Sequence, residues 1–221
     1  MQNFATPAAI VATLAVPAGR IRLIAADRTD TTVEVLPADP SKSRDVKTAE
    51  ETEVAYADGV LRIEVPKPKS RILGNAGAIE VTVQLPAGSR IEGQAAATEL
   101  RAVGRLGDVA FEGAYSRIKI DEAATLRLTA VDGDVEVGRL AGSAEISTAR
   151  GDIRIAEAVG GTVVLTTQKG DIAVAAAAGV SASLDAGTAY GRVANSLKSD
   201  GTPGLSIQAT TAYGDIAARS L

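Results

Sequence analysis

Apolar and polar residues alternate along most of the second half of the chain. In residues 151–155, for example, Ile153 and Ile155 flank Arg154. A period of two is typical of a β-strand with one buried face, whereas a helix repeats its apolar positions every three or four residues. The alternating runs come in pairs, and this arrangement predicts two strands in each repeat.

A short phrase of one small, one charged and one β-branched residue recurs every 17 to 23 residues. Its copies are Ser116-Arg117-Ile118, Gly133-Asp134-Val135, Gly151-Asp152-Ile153, Gly170-Asp171-Ile172, Gly191-Arg192-Val193 and Gly214-Asp215-Ile216, with Thr98-Glu99-Leu100 as an earlier seventh. Gly-Asp predicts a sharp corner, because glycine takes positive φ freely and aspartate accepts backbone N–H bonds. Repeats of this length indicate stacked coils. The sequence therefore predicts an all-β fold, a parallel β-solenoid of about seven turns.

The N-terminal residues lack this repeat. We predict a β-rich cap over residues 1–90 and the solenoid over 91–221, together one structural domain. Alternating runs end at Val16-Pro17 and Leu85-Pro86, which predict Pro-led turns. A polar stretch predicts one short helix near 42–51, with Ser41 or Ser43 as its N-cap. Residues 66–75 predict a flexible loop.

Composition removes several classes of function. The 221 residues contain neither cysteine nor histidine, so thiol chemistry and the commonest general base and metal ligand are missing. A net charge of −4 argues against nucleic-acid binding. No run approaches the ~18 consecutive apolar residues of a membrane span. Residues 8–16 are apolar but alternate like a strand, with no basic residue ahead of them, so we predict a cytoplasmic protein without a signal peptide.

Several motifs resemble one bacterial family. They are the repeated Gly-Asp-Ile/Val unit, the opening Phe4-Ala5-Thr6-Pro7 with Pro17-Ala18-Gly19, and the closing Tyr190-Gly191-Arg192-Val193 and Tyr213-Gly214-Asp215-Ile216. The family is the β-strand-repeat family whose members are labelled "putative adhesins" and whose domain has no known function. The resemblance covers nearly the whole chain and implies a parallel β-solenoid without known catalytic residues. The chain departs from Gly-Asp in three turns, which argues against a function that needs an unbroken aspartate ladder.

The corner positions form the sharpest candidate site. In chain order they are Glu99, Arg117, Asp134, Asp152, Asp171, Arg192 and Asp215. Asp134, Asp152 and Asp171 would lie one strand spacing apart, an arrangement that could bind calcium. The alternative is a row of structural corner caps whose charge is offset by Arg117 and Arg192. The nine-residue calcium pattern with paired glycines is missing, so we predict no metal site and no cofactor.

Two further motifs have both a functional and a structural interpretation. Arg150-Gly151-Asp152 matches a cell-attachment tripeptide, but the recurrence of Gly-Asp at every corner explains it. Tyr190 and Tyr213 precede equivalent corners, and Tyr115 precedes another. Such rings could stack on sugars, or they could cover the longer loops of the last two turns.

The sequence favours a non-catalytic scaffold or interaction protein, adhesin-like by resemblance. The alternatives are a calcium-binding repeat protein and a carbohydrate-active β-helix enzyme. Asp134, Asp152 and Asp171 with Arg154 could form an enzyme site, but the insertions that build a cleft are missing. We therefore predict that the protein is not an enzyme.

The expected binding surface is a flat face of Arg, Glu, Ser and Thr that contacts an unidentified protein or polymer. Its candidate outward residues are Arg127, Glu136, Glu145 and Arg154. The last turn finishes near residue 221, so the sequence also predicts an open C-terminal end of the solenoid, through which copies of the chain could associate.

Overall fold

The structure is a computed structural model, and it describes residues 1–66, 77–115 and 117–221. The predicted loop at 66–75 falls almost entirely outside these residues, and so does Ser116 of the second corner. The all-β prediction is confirmed, since most of the chain is strand and the strands are mostly parallel. The described helix has nine residues and is too short and polar to cross a membrane.

Strands make up almost all of the regular structure, and one helix interrupts them. In chain order the elements are β1 (Gln2–Ala5), β2 (Val11–Ala15), β3 (Ala18–Ala26), β4 (Asp30–Pro37), α1 (Ser43–Glu51), β5 (Glu53–Ala57), β6 (Val60–Glu64), β7 (Ile79–Pro86), β8 (Arg90–Ala95), β9 (Ala97–Tyr115), β10 (Ile118–Asp132), β11 (Val135–Leu140), β12 (Ala144–Arg150), β13 (Ile153–Ala158), β14 (Gly161–Lys169), β15 (Ile172–Ala176), β16 (Ala182–Tyr190), β17 (Val193–Ser196), β18 (Leu205–Tyr213) and β19 (Ile216–Ser220).

The strands form two long columns, joined by β9 and β10, which run through both. Sheet 1 holds the strands that precede each corner, in the order β5-β6-β2-β8-β9-β10-β12-β14-β18-β16. Sheet 2 holds the strands that follow each corner, in the order β1-β4-β7-β3-β9-β10-β11-β13-β15-β19-β17. Each strand of sheet 1 except the antiparallel β5 makes one rung with its successor in sheet 2.

The core lies between the two sheets. Alternate side chains point inward and pair in register from rung to rung, which extends each apolar column along the array. Along one column of sheet 2, five successive side chains are at most 1% exposed: Ile118, Val135, Ile153, Ile172 and Ile216. Phe111 is the largest fully buried side chain, and its ring packs over Gly93, where a Cβ atom would lie 2.4 Å from a ring carbon.

The order of the rungs departs from the order of the chain at both ends. Strand β18 lies between β14 and β16, and β19 lies between β15 and β17. The repeat pattern predicts the last turn of the chain at the end of the array, and this prediction is wrong. The terminal rung is β16–β17, and the C-terminal rung is inserted beneath it.

The N-terminal end shows the same inversion. The rung β2–β3 lies between the rung β6–β7 and the rung that starts with β8, and all of these pairings are parallel. Residues assigned to a separate cap therefore contribute two rungs of the array. Antiparallel β4 and β5 close its N-terminal edges, with β1 outside β4.

Helix α1 lies inside the predicted range of 42–51. Its N-cap is Lys42, without a side-chain capping bond, so the prediction of Ser41 or Ser43 is wrong. Two buried polar side chains of the helix, Asp45 and Thr48, accept the backbone N–H groups of Ala78 and Gly77 at 3.0 and 2.9 Å. The helix thereby holds the entry to β7.

Candidate functional site

The corner residues form one column, but their order in space differs from their order in the chain. Asp134, Asp152 and Asp171 are consecutive as predicted. The next residue in the column is Asp215, and Arg192 follows it at the terminal rung. We call the four carboxylates the acidic column: Asp134, Asp152, Asp171 and Asp215. Sequence order concealed the fourth member, because it places Arg192 before Asp215.

Each carboxylate of the acidic column accepts a backbone N–H bond from the next rung. The Oδ1 atom of Asp134 accepts the amide of Asp152 at 2.9 Å, and Asp152 accepts that of Asp171 at 2.9 Å. Asp171 then accepts the amide of Asp215, and Asp215 that of Arg192, both at 2.8 Å. These amides sit at corners, outside the regular ladder, and an unpaired backbone donor is costly. The carboxylates therefore cap the corners.

The glycine before each aspartate is required by the close stacking of the corners. A Cβ atom at Gly151 would lie 2.2 Å from the carbonyl oxygen of Gly133, and one at Gly170 would lie 2.1 Å from that of Gly151. The φ angle of Gly151 is +138°, a conformation that L-residues rarely adopt. Glycine thus meets both a conformational and a steric requirement at this position.

Threonines complete the corner, a role that the alternation of apolar and polar residues did not reveal. Three threonine hydroxyl groups donate to carbonyl oxygens of corner glycines in the neighbouring rung. The pairs are Thr167 with Gly151 at 3.2 Å, Thr211 with Gly170 at 3.0 Å and Thr188 with Gly214 at 3.0 Å. The available signal was a threonine three residues before a corner glycine. It occurs at Thr148, Thr167, Thr188 and Thr211.

The second oxygen of Asp152 bonds to Arg154, whose Nη2 lies 2.9 Å from Oδ2. Within residues 1–66, 77–115 and 117–221, no three acidic side chains are arranged to hold a metal ion. The contacts that the structure shows for the acidic column are therefore backbone N–H groups and flanking arginines. The prediction that it binds no metal stays a prediction.

The residues that come directly before each corner form a parallel and largely exposed column. In space it reads Tyr115, Asp132, Arg150, Lys169, Tyr213 and Tyr190. The rings of Tyr190 and Tyr213 stack with their centroids 4.9 Å apart and their planes 4° apart, while 67% and 56% of the two residues stay exposed. Tyr115 lies several rungs away from this pair. Arg150 of the tripeptide motif pairs with Asp132 at 3.0 Å.

Sequence comparison identifies the family. The profile of the Toastrack DUF4097 family matches residues 13–220. The chain belongs to the Toastrack DUF4097 family. This is a domain of unknown function, and a search of the curated proteins finds no match.

Solved structures that match this Toastrack chain share little sequence with it. A "putative cell adhesion protein" from Clostridium sporogenes is 15% identical, with coverage of 100% of this chain and 98% of that one and a TM-score of 0.42. A "putative adhesin" from Parabacteroides merdae is 11% identical, with coverage of 100% and 93% and a TM-score of 0.45. A "putative lipid binding protein" from Parabacteroides distasonis is 12% identical, with coverage of 98% and 95% and a TM-score of 0.46.

The four outward residues predicted on one face of this Toastrack chain are divided between two. Arg127 and Glu145 lie on the outer face of sheet 1, 3.3 Å apart. Glu136 and Arg154 lie on the outer face of sheet 2. Lys119, whose Nζ atom is 2.7 Å from Glu136, holds the pKa of Glu136 below its usual value by hydrogen bonding. The predicted single charged face is therefore wrong.

The outer face of sheet 2 changes character along the array. One row begins with charged residues and continues as alanines: Arg101, Lys119, Glu136, Arg154, Ala173, Ala217 and Ala194. A shallow groove of about 690 Å³ crosses this transition. Its floor includes the alanines and Gly138, and its rim includes Lys119, Glu136 and Arg219. The groove joins small apolar contacts to a charged rim.

Proposed function

We propose that this chain is a non-catalytic parallel β-solenoid scaffold that binds a polymeric partner, a role that is adhesin-like in the broad sense. Seven turns carry the corner motif from Thr98 onward, and β1, β4, β5 and α1 act as the N-terminal cap. The observation that carries the proposal is the engagement of the acidic column in corner capping. Carboxylates that could serve as an acid and base pair are used, one after another, to accept backbone N–H bonds.

The groove on sheet 2 supports binding of an extended partner. Successive rungs place equivalent side chains at a regular spacing of about 4.8 Å, so a linear polymer meets repeated contacts along the array. The alanine floor admits close approach, and the rim offers both signs of charge. The cytoplasmic location predicted from the sequence stays a prediction.

The test separates binding from catalysis. The purified chain is sedimented with insoluble polysaccharides and with immobilised extended polypeptides such as gelatin, and the supernatant is assayed for released sugar or peptide ends. We expect co-sedimentation with one class of polymer and no released product. Release that depends on Asp152 would contradict the proposal and favour an enzyme.

A pair of variants locates the binding surface. Ala217→Arg places a long side chain on the groove floor, where Ala217 is exposed. Ala110→Arg makes the same change on the outer face of sheet 1. We expect the first variant to lose binding and the second to retain it. Equal effects of the two variants would rule out the groove as the binding surface.

A further inference from the structure

Tyr190 and Tyr213 form an exposed aromatic surface at the corner of the two rungs that end the array, and we call this pair the tyrosine platform. Their rings stack with centroids 4.9 Å apart, and more than half of each residue stays exposed. On its other side, Tyr213 is paired in register with Lys169. Strand β16, which carries Tyr190, pairs only with β18 among the described strands. One face of the Tyr190 ring is therefore open.

The platform does not cover the longer loops of the last two turns. Residues 177–181 directly precede β16, and residues 197–204 lie beside its first residue, because the amide of Ala182 donates to the carbonyl oxygen of Lys198 at 3.0 Å. Tyr190 lies at the opposite end of this nine-residue strand, about 26 Å away. Packing against these loops therefore does not account for the two rings.

Charged side chains of both signs surround the platform. Lys169 lies beside Tyr213, and Arg192 and Asp215 are the corner residues that directly follow the two tyrosine-glycine pairs. All three are exposed, and within the described part of the chain none of them belongs to an ion pair. Asp215 uses Oδ1 to accept the amide of Arg192 at 2.8 Å, and a carboxylate can accept further bonds at Oδ2. The platform thus combines a flat apolar face with hydrogen-bond donors and acceptors.

We propose that the tyrosine platform binds a neutral β-linked polysaccharide, with one sugar ring stacked on the open face of Tyr190. A sugar ring with equatorial hydroxyl groups has apolar C–H faces that pack on an aromatic ring, and its hydroxyl groups both donate and accept hydrogen bonds. Arg192 would donate to these hydroxyl groups and Asp215 would accept from them, and bonds to charged groups are the stronger ones. This site is separate from the groove on sheet 2 and does not rest on it.

The charge around the platform favours a neutral polymer over an anionic one. Lys169 and Arg192 offset the charges of Asp171 and Asp215, which lie at the same two corners and the next. An acidic polysaccharide or a nucleic acid would meet repulsion from the aspartates as well as attraction from the basic residues. A neutral sugar can use both kinds of group.

The stacking of the two rings favours a sugar over a proline-rich peptide. Such peptides dock into grooves lined by aromatic side chains. The ring planes of Tyr190 and Tyr213 differ by only 4°, with the centroids 4.9 Å apart, so no further ring fits between them. The pair therefore offers one flat face, which suits a single sugar ring.

The test titrates the full chain with cellohexaose in isothermal titration calorimetry. Tyr190→Leu removes the flat face, whereas Tyr190→Phe keeps it. Because Tyr190 is 67% exposed, both variants are expected to fold, and circular dichroism checks that they do. We expect the dissociation constant to rise about 10-fold or more with leucine and to change by less than about 3-fold with phenylalanine.

Tyr115 provides the matched control. It lies in the same column before the corners and is 61% exposed, but it is several rungs away from the platform. Tyr115→Leu should therefore bind cellohexaose as the unchanged chain does. Ala217→Arg, which blocks the groove on sheet 2, should also retain this binding, so failure of the groove and failure of the platform are seen separately.

The outcomes separate the proposal from its alternatives. Binding of cellohexaose that is weakened by Tyr190→Leu, and kept by Tyr190→Phe and Tyr115→Leu, supports it. Absence of binding, an equal loss with Tyr115→Leu, or a loss with Ala217→Arg alone would overturn it. Tighter binding of polygalacturonate or of a proline-rich peptide that depends on Tyr190 would overturn it too, because the ligand would then be an acidic polymer or a protein.

Discussion

Replacing Gly151 with alanine tests how closely the corners stack. The new Cβ atom would lie 2.2 Å from the Gly133 carbonyl oxygen, so the two rungs would have to separate by roughly 1 Å to restore ordinary contact. The positive φ of +138° adds backbone strain of about 1–3 kcal/mol. Separation also weakens the bond from the amide of Asp152 to Asp134 and the bond from the amide of Gly133 to the Arg150 carbonyl, at about 1 kcal/mol each. We expect a loss of roughly 4 kcal/mol in the free energy of unfolding.

Two glycines elsewhere provide matched controls. Gly179 has φ of +78° but open space around its Cβ position, so Gly179→Ala should lose only about 1 kcal/mol of strain energy. Gly187 has neither a positive φ nor a close neighbour, so Gly187→Ala should be neutral or slightly stabilising. Urea unfolding followed by far-UV circular dichroism measures all three variants. If Gly151→Ala loses no more stability than Gly179→Ala, the close corner contact is not real.

Four further predictions concern the corner and the surface charges. Asp171→Ala strands the amide of Asp215 and should lose about 1–2 kcal/mol in urea unfolding, whereas Asp171→Asn keeps the acceptor and should lose less. Thr211→Val leaves the Gly170 carbonyl without its hydroxyl donor and should lose about 1–2 kcal/mol, with Thr211→Ser near wild type. Millimolar calcium should not raise the melting temperature of chelator-treated protein, because the acidic column already accepts backbone N–H bonds; a rise abolished by Asp171→Asn would contradict this. The pKa of Glu136 is lowered from its usual value of 4.5, so the charged side chain stabilises the fold at pH values above 4.5. This contribution is lost as the pH falls through the folded pKa, and Glu136→Gln should therefore flatten the dependence of stability on pH below about pH 4.5.

Local sequence predicted the strands and corners because the forces that form them are local. Alternation places Ile153 and Ile155 inward and Arg154 outward whichever strand lies next to them. Gly-Asp marks a corner because its glycine conformation and its carboxylate acceptor act within a few residues. The threonine of the corner was missed, since its bond joins two rungs and no alternation reveals it.

The outward residues show where alternation stops being sufficient. It gives the side of a strand on which Arg127 or Glu136 lies, but both sheets have an outer face. Membership of sheet 1 or sheet 2 depends on which side of the corner a strand lies. Only the folded corner turns the outer faces of the two strands of a rung in different directions. The single charged face expected from the sequence therefore became two.

The sequence by itself determined the strand pattern, the corner motif and the family of this protein, whereas the tertiary structure decided the order of its rungs. Strands β16 and β18 carry similar inward patterns and either could stack on β14. The following strands differ: β19 turns Ile216 and Ala218 inward, while β17 turns Val193 and Asn195 inward. Burying an unpaired amide side chain is costly, so the rung with Asn195 takes the exposed end and the apolar rung takes the interior. That choice depends on burial, which exists only once the rungs have stacked.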